Sequence, residues 1–415
     1  MRYNKYKKPP IFARMVMVLL LISPILHCYG WGKFDFSFII MSFLSCWHLL
    51  IHGIRNSKVP FLLFCYFGWW YISHVLSSTS FGELLPLGLI RIVITYMVYI
   101  DLFDFHYFMS KYKKIVGFVI LYFYIQEIGR IFVGFKLPSI LPFLPFAVTD
   151  DVQSFVQANI DSVRSSSLFK EPAVFAQYLL PFLCYEMFAP SQRRNWKYII
   201  LLTITLLWSR SGNAMVGLIT LAVCYGVQIF KNQKGFKKFG YFIFSGIFVL
   251  GVLTIFFKTE GGQKIMERTI TIDSESTIDK GYPTSTFMRI YQGFYIFNEY
   301  SSYYKIVGND HNSYIQERAF SSSIISSLYK KREFVSYFNT FYNVLIYTGF
   351  IGFFLIFLFF CELWKGNTFC GKSMMLLLFM ISLISANYFN EIMTLFLLPI
   401  IGMRDYTNKF VIKQQ

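Results

Sequence analysis

Charge is what this chain has least of. Lys, Arg, Asp and Glu together supply 15% of its residues, where an ordinary soluble domain carries about 25%. A water-soluble globule of 415 residues needs a polar shell that so few charges do not supply. The motifs of soluble enzymes are missing too. There is no Gly-rich phosphate loop, no Ser nucleophile elbow and no Cys/His set with metal-ligand spacing. The segments placed outside the membrane hold no Asp-x-Asp pair, the usual signature of metal-dependent enzymes that use sugar nucleotides. Asp150 and Asp151 come nearest, and they suit a helix cap. No internal repeat is visible, which weighs against the inverted-repeat architecture of many transporters. No small-residue cleavage site follows the first apolar run, so the reading is a retained first span.

Apolar residues are abundant. They make up 55% of the chain, with 49 Phe and 29 Tyr, and mean hydropathy is +0.48. Crossing a bilayer takes about 20 mostly apolar residues as a helix, and backbone groups in hydrocarbon must bond internally, so the recurring runs are helices. We expect an all-α polytopic membrane protein of about twelve spans, at 12–29, 35–53, 59–77, 84–102, 115–134, 172–189, 197–209, 211–230, 240–257, 337–362, 373–387 and 391–403. The chain then divides into spans one to five (1–134), an outer loop with an interfacial helix (135–171), spans six to nine (172–257), a large outer loop between spans nine and ten (258–336), and C-terminal spans with a basic tail (337–415).

The formal charge of +17 is distributed as a topology signal and not as a nucleic-acid footprint. Arg55, Lys58, Lys111, Lys113, Lys114, Arg193, Arg194, Lys197, Lys231, Lys234, Lys237, Lys238, Lys365, Lys372, Arg404, Lys409 and Lys413 fall on the same face as the N-terminus in this arrangement. The short connectors of the other face hold little beyond Lys33 and Arg210. The positive-inside rule puts the basic face, with both termini, in the cytoplasm. All seven cysteines fall in spans or in a cytoplasmic connector, as small apolar residues and not as a disulfide frame.

Four groups of residues could carry chemistry at the outer face. Arg164-Ser-Ser-Ser-Leu-Phe-Lys-Glu171-Pro172 leads into span six. Pro172 and Glu171 suit the first turn of a helix, whereas Arg164 is placed to grip phosphate oxygens in pairs. Trp208-Ser-Arg210-Ser-Gly-Asn213 joins spans seven and eight, and Arg210 either snorkels there or binds something. The large loop carries Arg289 and then Gly308-Asn-Asp-His311-Asn-Ser-Tyr314. His311 is either a general base or a surface histidine in a polar turn. Gly349 and Gly352 in span ten read as close helix packing. Within the spans, Arg91, Glu127 and Arg130 are ionisable; Glu127 and Arg130, three apart, read as a structural pair.

Taken in order, these pieces resemble the O-antigen polymerase and ligase superfamily of bacterial membrane glycosyltransferases. The resemblance rests on Arg164 to Pro172, Ser209-Arg210-Ser211-Gly212, the outer loop with Arg289 and His311-Asn312, and Gly349-Phe-Ile-Gly352. It covers about 160–360; the first five spans share only their hydrophobicity. It implies a GT-C-like enzyme of the bacterial inner membrane with its active site facing the periplasm and no cofactor or metal. The donor and acceptor would be glycans linked to undecaprenyl pyrophosphate, and a chain-length regulator would be a further partner. Arg164, Arg289 and Arg210 would bind the pyrophosphate, with His311 or Glu171 as the base. A repeat-unit polymerase, for O-antigen or capsule, fits the Phe/Tyr-rich composition and the Glu-Pro after the first arginine. A ligase acting on lipid A core and a lipid-linked oligosaccharide flippase are the alternatives. The topology makes a direct prediction: reporter fusions at Lys237 and at the C-terminus should be active only as cytoplasmic reporters, and one near Thr277 only as a periplasmic reporter. The opposite pattern at any of the three would overturn the orientation.

Overall fold

The ends of the helices are set by short polar residues and by proline. Asp104, Asn195, Asn339 and Thr368 each sit one residue before a helix and accept a hydrogen bond from a backbone N–H three residues on, the usual way of satisfying a helix's first donors. Pro172 opens a helix at the position where its missing N–H costs nothing.

The computed structural model describes residues 9–27, 29–31, 34–52, 61–77, 102–134, 137–139, 144–145, 164–188, 194–232, 287–329, 338–386 and 390–411. In chain order these form α1 (Ile11–Leu26), a two-stranded antiparallel hairpin of β1 (Gly30–Trp31) and β2 (Phe34–Asp35) with Gly30 opposite Asp35, α2 (Phe36–His52), α3 (Phe61–Ser77) and α4 (Phe105–Ile128). A π-helical turn, Gly129–Val133, extends α4. Then come α5 (Pro172–Phe188), α6 (Trp196–Trp208) and α7 (Gly212–Asn232). A second π-turn, Met288–Gln292, opens a group of short helices, α8 (Gly293–Asn298), α9 (Ser302–Val307), α10 (Asn312–Ser321) and α11 (Ser323–Leu328). The chain closes with α12 (Thr340–Trp364), α13 (Phe369–Ser382) and α14 (Glu391–Val411).

Helix α5 is the axis of the main core. Most of its residues are buried on every side, as expected of a helix that is apolar all round, and it packs against α4, α6, α7, α13 and α14. Tyrosines tie it in. Tyr112 of α4 donates its hydroxyl to the Tyr178 carbonyl, and the Tyr178 hydroxyl donates to the Leu21 carbonyl at 2.9 Å. A smaller core lies in the short-helix group, where Phe287, Ile296, Tyr300, Ile315 and Ile325 pack on Phe338 and Ile346 of the α12 region. The large loop before α12 is therefore folded over its described residues.

The helices run between two distinguishable ends. At one, Lys113 meets Glu186 and Tyr198, Arg194 lies over Trp196 and Tyr225, Lys231 over Phe369, Lys372 over Trp364, and Arg404 pairs with Glu362. This basic end gathers residues that the sequence assigned to one face. The other end, here the loop end, carries 164–171, 209–213 and the short helices.

This is an all-α membrane protein. The 29-residue stretch Phe105–Val133, Gly212–Lys231 and Thr340–Trp364 are long and apolar enough to cross a bilayer. Phe118, Leu121, Ile125, Ile128 and Phe132 form an exposed apolar stripe along the first of them, the reverse of a water-facing helix. The expected count of about twelve spans is not met: three described helices qualify, and α1, α3, α6 and α13 are apolar but have 13 to 17 residues. Turns follow α1, α6 and α13 at once, and α14 carries four charged residues, Glu391, Arg404, Asp405 and Lys409, too many for a span of its length. The spans expected at 240–257 and, but for its last residue, at 84–102 lie outside the described residues. So does most of the interfacial helix expected in 135–171; no described residue of that segment is helical.

Helix α12 is broken at Gly349, whose φ of 61° and ψ of −167° are not helical. The break exposes carbonyls, and α3 takes them: Trp69 Nε1 donates to Thr348 O at 2.9 Å and Ser73 Oγ to Tyr347 O at 3.0 Å. Gly308, with φ 91°, crosses at the same point, and a Cβ there would lie 2.5 Å from Tyr347 O. The backbone conformation of Gly349 is open essentially to glycine alone and costs other residues about 1–3 kcal/mol. Gly349→Ala should therefore lower the thermal midpoint of the detergent-solubilised protein by several degrees; an unchanged midpoint would show that the break is not required.

Candidate functional site

The segment before α5 is held from below. Ser165, Ser166 and Ser167 are buried, and Ser167 has a left-handed φ of 55°. Gln126 of α4 explains how that conformation is kept. Its Oε1 accepts from Ser167 N at 2.9 Å, and its Nε2 donates to Ser167 O and to Leu137 O, each at 3.1 Å. Ser167 Oγ donates to Val119 O at 2.7 Å. The serines thus face inward and Arg164 is left exposed on the surface. Next to this segment, Glu127 accepts from Arg130 at 2.6 Å, as their spacing predicts, and from Trp208 Nε1 at 2.8 Å.

From Arg164 a chain of contacts runs round the start of α5 and returns. Arg164 Nη1 donates to the Arg210 carbonyl at 3.4 Å. Arg210 occupies the turn between α6 and α7 with a left-handed φ of 51°. Three residues on, Asn213 Oδ1 accepts from Ser385 Oγ at 3.0 Å. The Ser385 carbonyl accepts from Thr340 N at 2.9 Å and Thr340 Oγ1 at 2.8 Å. Asn339 donates its N–H to the Arg289 carbonyl at 3.1 Å and its Nδ2 to Leu383 O at 2.9 Å. Arg289 Nη2 lies 3.8 Å from Glu171 Oε2, and Glu171 stands immediately before α5. The ring is closed. It collects three arginines, one carboxylate and the N-termini of α5, α7 and α12.

Helix N-termini carry partial positive charge and unsatisfied N–H groups. Three of them lie along a path that also carries Arg164, Arg210 and Arg289, against one carboxylate, a combination that suits an anion with several charges. Arginine also brings planar paired donors suited to phosphate oxygens. Arg164 and Arg210 are exposed, and Arg289 and Glu171 are about one-quarter exposed. The group is therefore open to a ligand.

His311, the fifth residue singled out from the sequence, makes its described contacts in a second cluster. It stacks on His74 of α3 at 4.8 Å between ring centres. His74 Nδ1 lies 2.7 Å from Asp310 Oδ1, and Trp70 Nε1 donates to Asp310 Oδ2 at 3.2 Å. The turn is fixed on both sides of Asp310. Asn309 N donates to Ile346 O at 2.8 Å, Asn309 Oδ1 accepts from His311 N at 2.9 Å, and the Tyr300 hydroxyl donates to Asn309 O at 3.0 Å. Burial pushes the Tyr300 phenol well above its ordinary pKa, so this donor keeps its proton throughout the neutral range.

Sequence reasoning singled out Arg164, Glu171, Arg210 and Arg289 and quoted Asn213 within a motif, but it did not single out Gln126, Asn339 or Ser385, which help to assemble the ring. It also passed over His74 and Trp70. One available signal was the cost of an ionisable side chain inside an apolar run, which marks His74. Arg91 and Asp150 lie outside the described residues. No family model, curated protein or solved structure matches the chain.

Gln126→Leu should strip three hydrogen bonds from the buried Ser167–Leu137 region, at about 1–3 kcal/mol for each group left unsatisfied. Hydrogen exchange is expected to accelerate across 164–171 while α5 beyond its first turn stays protected. Unchanged exchange there would mean that Gln126 does not hold the segment.

Proposed function

We propose that the chain is a GT-C-like glycosyltransferase of the bacterial inner membrane that polymerises oligosaccharide repeat units carried on undecaprenyl pyrophosphate, for O-antigen or capsular polysaccharide. The observation that carries this reading is the closed ring of Arg164, Arg210, Arg289 and Glu171 at the N-termini of α5, α7 and α12. It lies at the end of the helix bundle opposite the basic residues. By the positive-inside rule that end faces the periplasm, where no nucleotide sugar is available and a lipid-linked donor is.

The chemistry asks little beyond what these residues supply. A hydroxyl of the acceptor repeat unit attacks the anomeric carbon of the donor glycan. The new C–O bond forms as the bond to the pyrophosphate breaks, and the carrier leaves as undecaprenyl pyrophosphate. The leaving group is already activated and gathers negative charge, which fixed guanidinium groups and helix N-termini stabilise without a metal. The hydroxyl proton passes to a base. Glu171 stands in the ring itself, paired with Arg289; His311 stands in the neighbouring loop beside Asp310 and His74. A chain-length regulator would bind the same growing product.

The test is the gel profile of surface polysaccharide from a strain lacking the protein. The expected result is a core bearing a single repeat unit and no ladder, restored by the wild-type chain. R164A and R289A chains that insert normally should fail to restore it, since removal of one preorganised donor costs roughly 10²–10³-fold in rate. A bare core would overturn the polymerase in favour of the ligase. A bare core with lipid-linked units accumulating at the cytoplasmic face would indicate a flippase.

A further inference from the structure

Three ligand-type side chains meet where the short-helix group touches α3, although the sequence carries no metal motif. His74 and Asp310 are 236 residues apart. One ligand atom from each of His74, Asp310 and His311 lies within 4.8 Å of the other two. We propose that His74, Asp310 and His311 form a binding site for a divalent transition ion of the zinc class.

The donor set decides the class. Two imidazoles and one carboxylate suit zinc and its neighbours, whereas magnesium and calcium ask for oxygen donors alone. Three protein ligands leave a fourth position for water or another ligand, the arrangement of open zinc sites. The distances are close to what an ion needs. Bonds of about 2.0–2.2 Å put two tetrahedral ligand atoms a little over 3 Å apart, and His74 Nδ1 and Asp310 Oδ1 stand at 2.7 Å. The ion takes the place of the hydrogen bond between them and spreads the pair by about half an ångström. The two rings are stacked with 21° between their planes, so His311 swings out of the stack to aim a nitrogen at the shared point.

The surroundings resemble the support of a ligand shell more than a chance encounter on a surface. The side chains of His74 and Asp310 are 10% and 11% exposed. Trp70 Nε1 holds Asp310 Oδ2, the outer contact that orients a ligating carboxylate. Asn309 is bonded through its N–H, its carbonyl and its side chain, which fixes the turn that presents Asp310 and His311 together. A preorganised turn and a packed helix are the rigid footing such sites require. A second cluster, His27, Asp35 and Glu391, has one imidazole and is more open; it serves as the internal control. The inference does not depend on glycosyl transfer. If His311 is the base of that reaction, the ion would inhibit it by occupying the nitrogen that accepts the proton.

The test uses the full-length protein in detergent, stripped with a chelator. Zinc chloride should raise the thermal midpoint, and magnesium chloride at the same concentration should not. Mass spectrometry of the metal content after gel filtration should give one zinc per chain, and cobalt(II) should show the visible absorption of a four-coordinate site. H74A, D310N and H311A should each lose the zinc-dependent shift and the cobalt spectrum; H27A should keep both. H311A leaves the His74–Asp310–Trp70 contacts in place and covers the case in which H74A does not fold. Absence of bound zinc in the wild type, a shift that survives D310N and H311A, or a shift lost only in H27A would each overturn the proposal.

Discussion

The loop end of this protein depends on one contact: the backbone of Gly308 lying against that of Gly349. Neither position tolerates a side chain, because each faces the other's main chain and each has a left-handed φ. The contact interrupts α12 in its own hydrogen bonding and hands the released carbonyls to Trp69, Ser73 and Asn309. In a hydrocarbon environment such carbonyls must find donors within the protein. The break in α12 and the docking of α3 and of the short helices are thus one event. Asp310 and His311 lie two and three residues after Gly308, and Arg289 bonds through its carbonyl to the residue that caps α12. The placement of both clusters descends from this crossing.

The arginine ring shows a related economy. Its members come from five separate parts of the chain, and almost every link is made by a backbone group or a small polar side chain at a helix end. Helix ends need such partners in any case. The bonds that satisfy the ends of α5, α7, α12 and α13 therefore also link the chain segments that carry Arg164, Arg210 and Arg289. Among the charged side chains, Glu171 is set against Arg289 and Arg164 reaches the Arg210 carbonyl.

Much of this was legible in the sequence. The shortage of charge and the recurring apolar runs indicate a membrane helix bundle, and the alternating clusters of Lys and Arg sort its connectors into two sets. Arg210 stands out because a charge at the edge of an apolar run is costly unless used, Arg164 and Glu171 because they precede a helix start, and Arg289 through the resemblance of its loop. What could not be read was spacing in three dimensions. Nothing local distinguishes Gln126 from any other glutamine, and its role arises from Ser167, 41 residues away. His74 lies in a run that looks like plain hydrophobic filler, and its partner comes from the far side of the chain. Gly349 looked like a packing residue; it packs, but by breaking the helix, since composition does not report a φ. The span count fails for a similar reason. Apolarity marks where a helix lies in the membrane but not where turns cut it short.

One of those short helices has a consequence for the membrane. Helix α6 has 13 residues, so it is about 20 Å long, against a hydrocarbon thickness of about 30 Å. Ile200, Ile204 and Leu207 on its outer face are exposed, and its last residue leads straight into the Arg210 turn. A bilayer meeting a helix shorter than itself thins to match it. Beside a helix as short as α6 such thinning would draw the headgroups inward toward the turn that carries Arg210. A membrane lying against α6 would thus form a shallow dimple beside the turn that carries Arg210.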